Sequence, residues 1–511
     1  MKGSKLLRRV LSAALAMLLL TGCGSKQGCE GQPSGTGKSG NEKSITIRLV
    51  SIPNTLDCYS AGTVDSEEIA KLIYDLVLNP EPETGAPQPG VVTEWETPDE
   101  MTVILTMGDG FMFQNGDKVL PEDIIYSIEQ NRDHSLGGHA FSCIESMEAV
   151  GDNQVILRLA TPFVDVVTAL TTVYVYDKSY CESVGDDWAN KPVGSGPYKL
   201  KQYIPSSKVV VEAWEDYPFE KCYMEEYTFL CMEEDAAAYI ALEAGDVDMA
   251  SISVADYDRA MENPNVNVYE TMTILMSQAW MNTQKAPFDN INLRKAMAYA
   301  YNREGFLALN KKMAAADSFV PSQAEFYYSA PNVIHYDLDK ARELLEKEGY
   351  SKNNPLQIEL LTYAGESSRQ AYEAYQMELR QIGVEMKITT MEFGAYLDKM
   401  YKGEFEMISN DWSIPLFLMN YMAMLYSGSL GDYNGSFFVN DACDELYNIA
   451  ANSITDKQAG IDAARKLQEL SWEYVPMIPT FQSRAYVAAS KDIQGVVLQN
   501  NGRPVLRELC R

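Results

Sequence analysis

Apolar positions along this chain recur with two periods, and the two are interleaved. Residues 44–50, Ser-Ile-Thr-Ile-Arg-Leu-Val, alternate with period two and predict a strand, as do residues 101–107. In 67–77, Ile69, Leu72, Ile73, Leu76 and Val77 fall on one helical face. Pro121-Glu122-Asp123 opens another helix, with proline in the first turn and acids at the positive end of the dipole. Residues 337–348 form an amphipathic helix stopped by Gly349. Strand 356–362, helix 368–381 and strand 384–390 follow one another. The mixture predicts an α+β fold. It lacks the strict rhythm of a barrel, and no repeat of 20–50 residues is visible.

The first 43 residues follow neither period. Lys2, Lys5, Arg8 and Arg9 precede the apolar run 10–20, broken only by Ser12. Eleven residues are too few for a membrane span, which needs about 20, but suit the core of a signal peptide. The run ends in Leu20-Thr21-Gly22-Cys23, which resembles the bacterial lipobox. Residues 1–22 are thus expected to be a lipoprotein signal peptide, with Cys23 the lipidated N-terminus. The Gly- and Ser-rich stretch 23–43 is then a flexible, lipid-anchored tether, reaching on the order of 25 Å. Gly35-Thr36-Gly37-Lys38-Ser39 lacks the glycine spacing, strand and helix of a phosphate loop.

Composition narrows the class. The chain has 511 residues, 46% hydrophobic, enough for several cored domains. Its net charge of −30 argues against nucleic acid and against lying on an anionic lipid surface. Only His134, His139 and His335 could serve catalysis or a metal site. No Gly-x-Ser-x-Gly or His-Glu-x-x-His occurs, so a secreted hydrolase is a remote alternative and no enzyme activity, cofactor or metal is expected. The nine Cys include no Cys-x-x-Cys; export permits disulfides, and scattered buried thiols are the alternative.

Several segments, in order, resemble the solute-binding proteins of peptide ABC importers, bacterial solute-binding protein family 5. They are Asn54-Thr55-Leu56-Asp57, with Cys58 where Pro is usual; Gly110-Phe111-Met112-Phe113-Gln114-Asn115-Gly116 followed by Pro121-Glu122-Asp123; Val193-Gly194-Ser195-Gly196-Pro197-Tyr198; Leu242-Glu243-Ala244-Gly245-Asp246-Val247-Asp248; Ala286-Pro287-Phe288-Asp289 with Leu293-Arg294-Lys295-Ala296; and Val475-Pro476-Met477-Ile478-Pro479. The resemblance covers about 44–500. It implies a two-lobed, periplasmic-binding-protein-like fold with an extra subdomain in the first lobe. Chain order then gives a discontinuous first lobe (44–65, 185–265 and 482–511), an added subdomain (66–184) and a second lobe (266–481). The ligand is expected between the lobes, engulfed by hinge closure.

A peptide's ammonium needs an opposite charge in a closed cleft. The family provides an Asp in a "W-x-A-D-Y-x-D-P" segment, matched here by Ile408-Ser409-Asn410-Asp411-Trp412-Ser413-Ile414-Pro415. Asp411 aligns with the amine-binding Asp and Trp412 with the Tyr. Ile408 and Ile414 replace the Trp and second Asp, which leaves a metal chelate, haem or oligosaccharide open as ligand. Asp411 could also be a solvated turn acid. Trp280 and Asn282, before the Pro-Phe-Asp motif, and Tyr363, at a strand end, are further candidate lining residues; Trp280 could equally be core. Gly194-Ser195-Gly196 is expected to form a tight turn rather than approach the ligand. The resemblance implies short peptides as ligand, ABC permease and ATPase subunits as partners, a monomer, and a place outside the cytoplasmic membrane.

Overall fold

A computed structural model of the chain describes residues 43–511, except 136–137, 221 and 365–368. The expected signal peptide and Cys23, and the expected tether up to residue 42, lie outside the described residues. Most of the periodic segments form as expected. Strands Ser44–Leu49, Thr102–Met107, Leu356–Tyr363 and Val384–Met391 appear, as do helices Pro121–His134, Leu338–Lys347 and Arg369–Arg380. The helix expected over 67–77 runs instead over Val64–Ile73. Thr63 and Ser66 form a capping box at its start, and Tyr74 turns extended at its end. The apolar residues beyond are recruited to pairing: Leu76 bridges Tyr174, and Leu78–Pro80 pairs with Pro87–Pro89.

One mixed sheet of eleven strands organises the molecule. From edge to edge it runs Val384–Met391, Leu356–Tyr363, Met407–Ser413, Val266–Met281, Met477–Ser490, Met249–Ser251, Ser44–Leu49, Glu226–Cys231, Lys208–Ala213 and Tyr198–Ile204, with Met313–Ala315 paired at the side of Met477–Ser490. Separate cores lie against its two ends. One centres on Ile47, Tyr198, Tyr227 and Phe229, the other on Met297, Tyr301, Tyr372 and Tyr375. These are the two lobes of an α+β binding-protein fold. A four-stranded antiparallel sheet, Val92–Asp99, Thr102–Met107, Gln154–Leu159 and Ile144–Val150, has its own core around Val103, Leu105 and Ile124.

The strands Val266–Met281 and Met477–Ser490 pass through both lobes. Val266 to Met272 pair with Ser490 to Arg484, and Met276 to Trp280 pair with Gln482 to Met477. Between these ladders the register breaks. There side chains replace the backbone bonds: Gln482 Nε2 donates to Thr273 O at 2.8 Å, and Thr273 Oγ1 to Ser483 O at 3.1 Å. Ile274 N donates out of the sheet to Asn500 O at 2.9 Å.

Charged pairs fasten the C-terminal arm. Arg503 pairs with Asp65, Arg507 with Asp75 at 2.8 Å, and Arg511 with Asp248. Arg507 also donates to the carbonyls of Lys71 and Tyr74, closing the C-terminal end of helix Val64–Ile73. Cys510 is disulfide-bonded; Cys143, Cys181 and Cys443 are buried thiols. Gly194-Ser195-Gly196 does more than turn. Gly196 N donates to Ile73 O at 2.9 Å, and Ser195 Oγ accepts from Asp75 N at 3.0 Å. A Cβ on Gly194 would stand 1.9 Å from the Ile73 carbonyl oxygen. Glycine is required because two backbones meet there.

On the far side of the cleft Asp165, 4% exposed, accepts from Leu418 N (3.0 Å) and Met419 N (2.7 Å) at the start of helix Leu418–Met422. This contact joins the region of the four-stranded sheet to the second lobe. Burial pushes the Asp165 carboxyl up to about 6, against the pull of those two N–H groups.

Two outcomes follow. Gly194→Ala should lower stability by about 1–3 kcal/mol in urea unfolding, because the Ile73 backbone has to move. A carboxyl raised in the folded state binds more protons there than in the unfolded chain, so its contribution falls as pH rises from its unfolded to its folded value. The Asp165 contribution should therefore grow by about 1 kcal/mol between pH 7 and pH 5. Asp165→Asn should remove that increment, read as the pH dependence of the urea midpoint.

Candidate functional site

Between the lobes lies a cavity of about 520 Å³. Tyr59, Glu67 and Lys71 line it from the first lobe, Trp412 to Phe417 and Tyr433 from the second, and Gln499 to Asn501 where the crossing strands are bridged. Its volume suits a small ligand.

The second-lobe wall is aromatic. Trp412 stacks on Tyr433 at 5.3 Å and 27°, and meets Trp280 edge-on at 5.2 Å. Trp280 is fully buried, and its indole Nε1 donates to Gln278 Oε1 at 2.7 Å. A Cβ on Gly435 would lie 1.8 Å from the Trp280 ring, so glycine there lets the ring seat behind Trp412. Strand pairing sets the next feature. Ser277 of Val266–Met281 is opposite Asp411 of Met407–Ser413, and its Oγ donates to Asp411 Oδ1 at 2.5 Å. Tyr363 OH, from the end of Leu356–Tyr363, donates to Oδ2 at 3.1 Å. Two hydroxyls thus orient a half-buried carboxylate beside the aromatic wall.

The first-lobe wall carries charge. Lys71 Nζ contacts Glu68 Oε1 at 2.9 Å and Gln499 Oε1 at 3.0 Å. Burial opposes the Lys71 charge, but Glu68 and Glu67 outweigh it and hold the ammonium above its usual range. Glu67 is exposed to the cavity, yet protein packs around its carboxyl. That enclosure pushes its carboxyl up, against the attraction of Lys71.

The structure therefore brings Asp411, Trp412 and Tyr363 together. Trp412 lines the cavity, Asp411 and Tyr363 stand next to it, and Trp280 supports Trp412 from behind. Asn282 sits elsewhere. It is 2% exposed, and its amide donates to Gly403 O at 2.9 Å, fastening a loop. Tyr433, Ser277 and Lys71 were not legible as site residues. Lys71 and Glu68, three apart on a helix, have the spacing of an ordinary solvated pair, and Tyr433 sits in a turn-rich stretch. No group of His, Cys, Asp and Glu suited to a metal occurs among the described residues, and no helix among them is long and apolar enough to cross a membrane.

Comparison with known proteins agrees with this architecture. The model of the bacterial extracellular solute-binding proteins, family 5, matches residues 86–434. The dipeptide-binding protein of Escherichia coli strain K12 is 21% identical over 455 residues, covering 81% of this chain and 84% of that protein. Heme-binding protein A of Haemophilus influenzae is 22% identical over 449 residues, covering 80% and 81%. Among solved structures, HbpA2 from Haemophilus parasuis superposes with a TM-score of 0.82 at 20% identity, over 91% of this chain and 99% of that one. These relatives are named for what they bind rather than for a reaction. With more than half its length matched and the two-lobed fold in place, the chain belongs to the bacterial extracellular solute-binding proteins of family 5, which serve ABC importers.

Proposed function

We propose that this protein captures short peptides in the interlobe cleft by closure about the crossing strands. In this reading it is held at the outer face of the membrane by a lipid on Cys23 and works as a monomer. It hands its ligand to an ABC permease driven by its ATPase. The observation that carries the peptide reading is the Asp411 carboxylate, oriented by Ser277 and Tyr363 beside the Trp412–Tyr433 wall. An ammonium that loses water on closure needs such a partner, since a buried unpaired charge costs about 3–5 kcal/mol. Aromatic faces cover side chains of varied shape with little demand for specific hydrogen bonds. The lobe limits proposed from the sequence are kept except at the first crossing, where the change from one lobe to the other is placed at 272–276, at the register break, and not at 266.

The stacked pair Trp412 and Tyr433 favours one second reading. A flat or ring-shaped ligand, such as a haem, a metal chelate or an oligosaccharide, would rest on those rings and depend little on Asp411.

Thermal unfolding of the purified protein with short peptides separates the two. A ligand at about 100 times its dissociation constant adds about 2.7 kcal/mol of stability. Free peptides should raise the midpoint, and N-acetylated ones should not. Asp411→Ala should weaken binding about 10²-fold or more. If no peptide moves the midpoint, while haem, a chelate or a sugar does so with Trp412→Ala sensitivity, the peptide reading is wrong.

A further inference from the structure

Helix Leu418–Met422 has no cap of its own: Phe417, which stands before it, makes no capping side-chain hydrogen bond. Asp165, 253 positions before Leu418, takes its first two N–H groups. Those two bonds are all that the Asp165 carboxylate has. Among the described residues it makes no ion pair, since Lys457 attracts it only from a distance and is itself paired with Glu325. Tyr447, on helix Asp441–Ala451, is the other titratable group that feels its charge. A carboxylate that is 4% exposed thus serves two backbone groups of the opposite lobe and nothing else.

Apolar side chains are exchanged around this contact. Phe417, 4% exposed, belongs to the core beneath the four-stranded sheet, together with Val166 and Leu170, and Ile454 packs on the same core. In return Phe163 and Val164 pack on the second-lobe core of Leu418 and Met419. The same elements enclose the ligand cavity. Thr168 and Thr171 line it from one side, Leu416 and Phe417 from the other, and Ile274 where the strands cross. The lobes cannot part about the crossing strands while Asp165 keeps its bonds and Phe417 its seat. Charge-assisted hydrogen bonds and a buried phenyl ring each resist that parting.

We propose that Asp165 and Phe417 form a latch that holds the lobes together over the empty cleft, and that Asp165 positions the ligand wall from Trp412 to Phe417 by fastening the residues that follow it. The inference rests on closure of the lobes over the cleft, not on which ligand the cleft takes. The free protein is then mostly closed, and ligand enters when the latch releases. Protonation adjusts the latch. A carboxyl raised to about 6 when enclosed, and back at its ordinary value when the lobes part, binds protons on closing. Closure is therefore favoured about tenfold more at pH 5 than at pH 7, and the preference is lost as pH rises through the enclosed value.

Small-angle X-ray scattering of the free protein tests the latch without any ligand. The wild type should be compact, and more so at pH 5 than at pH 7. Asp165→Ala should have a larger radius of gyration at both. Asp165→Asn keeps an acceptor oxygen and carries no charge, so it should stay compact at both. If Asp165→Ala does not fold, the flat pH response of Asp165→Asn decides. The same radius in the wild type and Asp165→Ala at both pH values, or a pH response that Asp165→Asn retains, overturns the latch. Release of trialanine, followed by stopped flow, adds a second arm. It should be at least tenfold faster from Asp165→Ala, with Asp165→Asn restoring the slow rate; equal rates overturn the positioning role. If trialanine does not bind the wild type, the peptide reading falls and scattering alone decides the latch.

Discussion

Everything in the cleft hangs on two strands that belong to both lobes. A continuous β-ladder resists bending, because each residue is tied to its neighbour by backbone hydrogen bonds. Here the ladder between Val266–Met281 and Met477–Ser490 is interrupted at 273–275, and side-chain amides and hydroxyls of Gln482 and Thr273 make bonds that can adjust. The register shifts again between Ser277 and Gln278, so the irregular part of the pair reaches the neighbourhood of Asp411. Ser277, which orients Asp411, lies just past 273–275, and Ser483 and Arg484 lie on the facing strand. Trp412, opposite Met276, and Asp411, opposite Ser277, both stand at the edge of that stretch.

The charges of the cleft are sorted by position. Glu67, Glu68 and Lys71 neutralise one another on one wall, leaving an acidic excess. Asp411 stands on the opposite lobe, and Lys312 and Arg484 lie at the strand crossing.

Much of this was legible in the sequence where local rules act alone. Strands 44–50 and 101–107 and the helix opened by Pro121 follow from period and capping, and ordered motifs were enough to name the family. Asp411 and Trp412 were found because they stand in one of those motifs. The helix placed at 67–77 slipped because the apolar residues beyond Ile73 were claimed by long-range pairing, which periodicity cannot see. Gly194 looked like a turn residue, yet its reason is the Ile73 carbonyl more than a hundred positions earlier. Asn282 looked like a binding amide and is a loop fastener. Lys312 and Arg484 are far apart in sequence and meet only through sheet register, so no motif announces them.

The C-terminal arm has a consequence for how the chain matures. Arg503, Arg507 and Arg511 close onto Asp65, Asp75 and Asp248, residues made hundreds of positions earlier. Ser44–Leu49 likewise waits for Glu226–Cys231, and the sheet beside it for Val487 to Ala489. Contacts of such sequence separation form slowly and late. The first lobe therefore cannot complete itself on a partly emerged chain. Its strands Ser44–Leu49 and Met249–Ser251 keep an open flank until residues 487–511 have been made.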